Sequence, residues 1–303
     1  MSNPNQLPAK NSEIWWSINN LVFTVMGALF LSNFVALIVV LPMFDFNEAV
    51  MLEFLKNPIL YPQYKMAMLQ MQGIISVITF IAAPMIYLKY VDNQAITVPV
   101  YRIENIDLKP VLWVLTPFIV ITFMPVDSWI VDFNQNMVLP ESFKNIELWA
   151  KATEIHMQEL TKYLTTFDNV VEFLAAIVVM AIVPAIGEEL LFRGVLQNKI
   201  ELLAKNYHIA IWASAFIFSA IHFQFYGFIP RLLLGALFGY LYVWSGNLTI
   251  PILAHFINNA FTLTLIYVGV NIESTPSIEI TVISLLLVIS FVYLFKKIAT
   301  EKT

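Results

Sequence analysis

Two adjacent glutamates, Glu188 and Glu189, with Arg193 four residues after the second, lie in a stretch apolar enough to cross a membrane. Two other apolar stretches each carry a histidine, in Phe218-Ser219-Ala220-Ile221-His222 and in His255-Phe256-Ile257-Asn258-Asn259. An ionisable side chain at bilayer depth costs about 2.5–3.5 kcal/mol on insertion scales unless it is paired or wetted, so it reads first as part of a functional site. On a helix Glu189 and Arg193 share a face, acid before base, and neutralise each other. Glu188 projects about 100° away around the same helix and finds only Leu191 and Phe192 at i+3 and i+4. An unpaired carboxylate in an apolar setting is suited to taking and returning a proton.

The chemistry these residue types allow is hydrolysis of an amide. Glu188 would deprotonate a water, His222 and His255 would hold that water or a metal ion, and Asn259, one turn after His255, would donate to the developing oxyanion. Each element also has a structural reading: the Glu189–Arg193 pair as a register lock, a lone histidine as a satisfied core residue, and Asn258 and Asn259 as bonds between helices. The combination weighs more than its parts. The chain has four histidines, and two of them fall inside apolar segments with a partner at helical spacing. His208, at a segment edge beside Lys205 and Tyr207, and His156, on a long connection, are given no role.

Two other classes compete. In a transporter, Glu188, His222 and His255 would form a proton- or metal-coupled site, although no internal repeat supports the inverted halves such proteins use. In a non-catalytic scaffold the same residues would serve packing alone.

The elements that must position these groups are membrane helices. Hydrophobic residues make up 59% of the 303-residue chain and charged ones 12%, with mean hydropathy +0.75, against about 25% charged in soluble proteins. The chain is expected to be an all-α, polytopic integral membrane bundle of about eight transmembrane helices. Apolar segments run over residues 18–43, 67–88, 110–126, 171–198, 209–229, 231–245, 251–270 and 278–295. Trp15, Trp16, Tyr61, Tyr64, Tyr87, Tyr90 and Trp244 flank them, as in an interfacial belt. The net charge of −5 contains no basic run, which speaks against a nucleic-acid surface. The absence of cysteine excludes disulfides and thiolate chemistry. Met1 to Trp16 lacks the pattern of a removable signal peptide.

Connections carrying Lys89, Arg102 and Lys109, then Lys199 and Lys205, and the C-terminal Lys296, Lys297 and Lys302 fall on one side, which predicts cytoplasmic termini. The connection around Glu273 and Glu279 has no basic residue and would face out. In the connection over 127–170, Trp149, Thr153, His156, Leu160, Tyr163, Leu164 and Phe167 recur at helical steps, predicting an amphipathic helix that packs outside the membrane without a catalytic part, lies on the membrane surface or covers the cavity. Gly235 and Gly239 predict close helix packing, and Ser245-Gly246-Asn247 with Pro251 predicts a turn that starts the His255 helix. Pro184, one turn before Glu188, could loosen the backbone there, though proline is common in membrane helices.

Glu188-Glu189-Leu190-Leu191-Phe192-Arg193-Gly194, Phe218 through His222, and Ser245-Gly246-Asn247-Leu248 through Pro251-Ile252 to His255-Phe256-Ile257-Asn258-Asn259 resemble, in order and spacing, the three motifs of the CAAX prenyl protease and bacteriocin-processing (Abi) family of intramembrane endopeptidases. The resemblance covers about residues 171–268. It implies a helical bundle with a cavity open toward the cytoplasm and a site in which Glu188 activates water, His222 and His255 support it and Asn259 serves the oxyanion. Glu189, Arg193 and Phe218 match supporting positions. The family is described both as metal-dependent and as metal-independent, so no cofactor is required with certainty and zinc on Glu188, His222 and His255 stays open. The implied partners are membrane lipids and a peptide or lipid-anchored protein substrate, and the implied location is the inner (plasma) membrane. Three regions follow: 1–170, N-terminal helices and the amphipathic connection; 171–268, the catalytic core; and 269–303, a C-terminal helix and tail.

Overall fold

A computed structural model describes residues 10–92, 109–271 and 274–301; the expectations on Met1–Ala9, Arg102, Glu273 and Lys302 lie outside these. The structure is 87% helical, with no strand among the described residues. In chain order the helices are α1 (Asn11–Val40), α2 (Glu48–Lys56), α3 (Pro62–Val91), α4 (Pro110–Gln135), α5 (Lys144–Thr165), α6 (Val170–Ala204), α7 (Tyr207–Ala220), α8 (Phe228–Ser245), α9 (Thr249–Tyr267) and α10 (Ile278–Thr300). Seven of the described helices are long and apolar enough to cross a bilayer, and α7 is a shorter apolar eighth, in keeping with about eight spans.

Side chains that a soluble protein would bury face outward here, among them Phe23 at 74% exposure and Ile38 at 72%. Lipid takes the place of a core around such helices, and the chain is an integral membrane protein. Inside, Leu115, Ile119, Phe238, Leu241, Ile250 and Phe295 join α4, α8, α9 and α10, while Leu21, Tyr87, Phe192, Val195 and Phe218 join α1, α3, α6 and α7. Helices from outside residues 171–268 thus wall those within. Trp15, Trp16 and Tyr90 are exposed as a belt requires, but Tyr87 is fully buried, under the Lys199 ammonium.

The continuous segment expected over 209–229 is broken. Helix α7 has 14 residues, about 21 Å at 1.5 Å each, short of a ~30 Å hydrocarbon core. The chain turns at residues 221–224, where Phe223 takes a left-handed conformation (φ 53°) that bulky side chains rarely adopt. Ser219 Oγ donates to the Phe228 carbonyl, and Asn134 of α4 donates to the Phe225 carbonyl and accepts from the Ile229 N–H. These bonds replace the helical ones the turn gives up, and a hydropathy window is blind to them. Helix α4, expected to end at 126, continues to Gln135 because Asp127 and Asp132 lower the hydropathy without breaking the helix.

The amphipathic helix forms as α5 and packs across one end of the bundle, against the starts of α3, α6 and α8 and against α9. Its buried line includes Glu147, Ala150, Tyr163 and Leu164. Trp149 and His156, expected on that face, point out, and Phe167 lies past the helix end. The opposite end is closed by Lys199, fully buried, whose Nζ donates to Ser17 Oγ at 2.7 Å and to both Asp92 oxygens at 3.0 Å, tying α1, α3 and α6 together.

Candidate active site

Helix α6 carries Glu188 and Glu189 between two stretches of wide, π-type turns, Ile177–Ile182 and Leu190–Gln197, a distortion common at functional sites. As the spacing predicted, Arg193 NH1 donates to Glu189 Oε1 at 2.7 Å, both residues being sealed from solvent. Arg193 NH2 donates to the Gly235 carbonyl of α8 at 2.8 Å. That approach needs a glycine: a Cβ at Gly235 would meet Ala215 Cβ at 3.2 Å and Phe218 at 3.4 Å. Gly239 likewise brings α8 onto Ile211 and Gln197, so the Gly-x-x-x-Gly step packs helices as expected.

The spacing did not reveal that Glu189 also holds a histidine. His255 of α9, starting after the left-handed Gly246 turn, places Nδ1 2.9 Å from the same Glu189 Oε1. A carboxylate only accepts, so Nδ1 carries the proton and Nε2 presents a lone pair when the ring is neutral. That Nε2 lies 3.9 Å from Glu188 Oε2, too long for a direct hydrogen bond and suited to a shared water. The Glu188 side chain is 16% exposed, so it faces neither a sealed core nor open lipid. Glu188 and His255 are brought together; Glu189 and Arg193 orient the second of them.

His222 follows the end of α7. Its Nδ1 donates to the Phe218 carbonyl at 2.8 Å, leaving Nε2 as an acceptor. The Phe218 ring stands edge-on to His222 (5.1 Å) and His255 (6.4 Å) and lies under the Arg193 guanidinium (5.1 Å). It is the apolar wedge between the two imidazoles. The break in α7 also explains how a residue so far along its segment reaches this site.

Asn259 is engaged already. Its Nδ2 donates to the Met180 carbonyl of α6 at 3.0 Å and its Oδ1 accepts from Asn258 at 3.1 Å. Asn259 thereby ties α9 to the π-type stretch of α6 that precedes Glu188. Asn259→Ala should destabilise the fold by about 0.5–1.5 kcal/mol by removing this bond between helices; an unchanged midpoint of thermal unfolding would contradict it.

A metal fits poorly. With both Nδ1 atoms committed, zinc would need the two Nε2 atoms and Glu188 to converge at about 2.0–2.2 Å from one point. Among the described residues no group of three His, Cys, Asp or Glu side chains is gathered closely enough to hold an ion. The residues as placed do not form the two-histidine, one-carboxylate set that the sequence left open.

One residue escaped the sequence reading. Arg231, in the first turn of α8, exerts its charge on Glu188 and on His222. It opens the apolar segment over 231–245, and the signal that could have found it is an arginine followed by an unbroken apolar helix.

The sequence of this region has counterparts in other proteins. Residues 170–261 match the family described as Type II CAAX prenyl endopeptidase Rce1-like. The match is the family expected from the three motifs, and it contains all of them, from Glu188 to Asn259, while covering less than a third of the chain. Over 88 residues the chain is 39% identical to Uncharacterized protein YpbD of Bacillus subtilis (strain 168), an alignment of 28% of this chain and 42% of that protein. The chain therefore spans less than half the length of the curated relative it matches. No solved structure matches.

Proposed function

We propose that this chain is an intramembrane endopeptidase that hydrolyses a peptide bond of a membrane-associated peptide or protein, using a water activated by Glu188. The observation that carries the reading is the 3.9 Å gap between Glu188 Oε2 and the lone-pair nitrogen of an imidazole whose other nitrogen is held by Glu189. Two acceptors facing each other take the two hydrogens of one water and leave its oxygen lone pair free for a carbonyl carbon. Glu188 receives the water's proton as the C–O bond forms. It returns that proton to the leaving nitrogen as the C–N bond breaks, so one water is consumed and two chain ends appear. The second Nδ2 hydrogen of Asn259 is available to the carbonyl oxygen as it gains charge, and His222 Nε2 is a further acceptor at the rim. The Rce1-like match supports a protein or peptide as substrate. Residues 171–268 hold the reacting groups, and the segments before and after them wall the site and govern access. The test is hydrolysis by the purified full chain in detergent micelles, followed with a quenched-fluorescent peptide library and mass spectrometry.

Lys10, Lys89, Lys109, Lys205, Lys296 and Lys297 lie at the end of the bundle opposite α5, with both described termini. The α5 end carries Lys56, Lys65, Lys144, Lys151 and Lys162, of which Lys65 and Lys151 are paired with Glu172 and Glu147; the lysines beside the termini support cytoplasmic termini in the plasma membrane. A C-terminal green fluorescent protein fusion is expected to fluoresce and an alkaline phosphatase fusion to stay inactive; the reverse pattern would overturn this orientation.

A further inference from the structure

The reaction proposed above makes no use of Arg231. Its Cα lies one helical turn before Gly235, whose carbonyl accepts from Arg193, so Arg231 shares the α8 face turned to the site. Two features fix its side chain. NH2 donates to Gln224 Oε1 at 2.7 Å, and the missing side chain at Gly227 makes room, since a Cβ there would lie 2.8 Å from NH2. NH1 is sealed from solvent and has no hydrogen-bond partner.

Arg231 acts electrostatically on Glu188 and on Glu154 of α5, yet it makes no ion pair with either; the close ionic neighbour of Glu188 is His255, and Glu154 Oε2 is itself buried without a partner. Glu154 lines a cavity of about 210 Å³ with Gln135, Lys151, Gln158 and Tyr226, whose hydroxyl is also unpartnered. Glu154 Oε2, the Tyr226 hydroxyl and Arg231 NH1 are thus buried polar atoms without partners on α5 and around the start of α8, and the guanidinium among them is an unused cationic donor. A guanidinium is a planar fork that binds carboxylates in two-point, charge-assisted fashion.

We propose that Arg231 receives a carboxylate of the peptide substrate and so orients the chain beside Glu188. The meaning of the word substrate rests on the peptidase reading, but the binding does not, and it is measured without turnover. The probes are N-hexanoyl-L-alanine as free acid and as amide, and N-hexanoyl-L-aspartic acid α-amide, whose carboxylate is on the side chain. Each is titrated into the detergent-solubilised full chain carrying Glu188→Gln, with tryptophan fluorescence or saturation-transfer NMR as readout. The free acid is expected to bind about tenfold tighter than the amide, with the advantage falling below about twofold in Arg231→Gln and to about threefold in Arg231→Lys, which keeps the charge but loses the fork. An equal advantage for the aspartate probe would assign the carboxylate to a side chain, and its absence there to a chain terminus. Equal binding of acid and amide, no binding of either, or an advantage that survives Arg231→Gln overturns the proposal. If Arg231→Gln does not fold, an undiminished advantage in Arg231→Lys does so. Peptidase activity in Glu188→Gln would sink the catalytic reading and leave this result standing.

Discussion

Glu188→Gln is expected to lower kcat/KM for peptide hydrolysis by about 10²–10⁴-fold, the usual contribution of a positioned proton acceptor, while leaving the melting temperature near that of the wild type. The two halves of the expectation have separate grounds. Glutamine has the size of glutamate and can still accept a hydrogen bond from a water, but it cannot take the proton. Glu188 makes no short ion pair, its distance to His255 Nε2 being 3.9 Å, so little structure depends on its charge. Rates on the peptide library, with unfolding followed by fluorescence in the same detergent, separate the two. Wild-type turnover in the variant would end the peptidase reading, and a large loss of stability would mean that Glu188 is a structural residue.

Arg193→Met should give the largest loss of stability of any single substitution at this site, about 3–5 kcal/mol, because it strands a charge with no access to water. Glu189 is fully buried and its Oε2 already lacks a partner, so the Arg193 guanidinium is the main compensation for its charge. The Gly235 carbonyl would lose its donor as well. Removing both charges, as Glu189→Leu with Arg193→Met, should recover most of that stability, since a buried pair replaced by apolar residues of similar size is often neutral or better. Activity should not return with it. His255 would have lost the acceptor for its Nδ1 proton, and with it the tautomer and ring orientation that aim Nε2 at Glu188. Chemical or thermal unfolding of the three variants decides the first part, and a double variant no more stable than Arg193→Met would refute the buried-pair argument. An active double variant would show that His255 needs no positioning by Glu189.

The sequence by itself determined what short-range helix geometry and overall apolarity determine. Glu189 and Arg193 are one turn apart on any helix, so their 2.7 Å bond follows from the spacing. The membrane setting and the number of spans follow from segments long and apolar enough that no soluble packing could bury them. The turn before His255 follows from Gly246, which takes the left-handed conformation that ends α8. Everything that depends on the depth and rotation of one helix against another was decided by the tertiary structure. Hydropathy cannot report where in the bilayer a helix stops, so the break that sets His222 beyond α7 was hidden. Spacing within α9 could not tell that His255 reaches Glu189 and not Glu188 with its protonated nitrogen, nor that Asn259 spends a donor on the Met180 carbonyl of α6. Arg231 carries no partner at helical spacing, and its bond to Gln224 across the turn before α8 is a tertiary fact. Relations within one helix are set by the backbone's own period, whereas relations between helices are set by which small residues, such as Gly235, allow close approach, and no window along a single chain contains both partners.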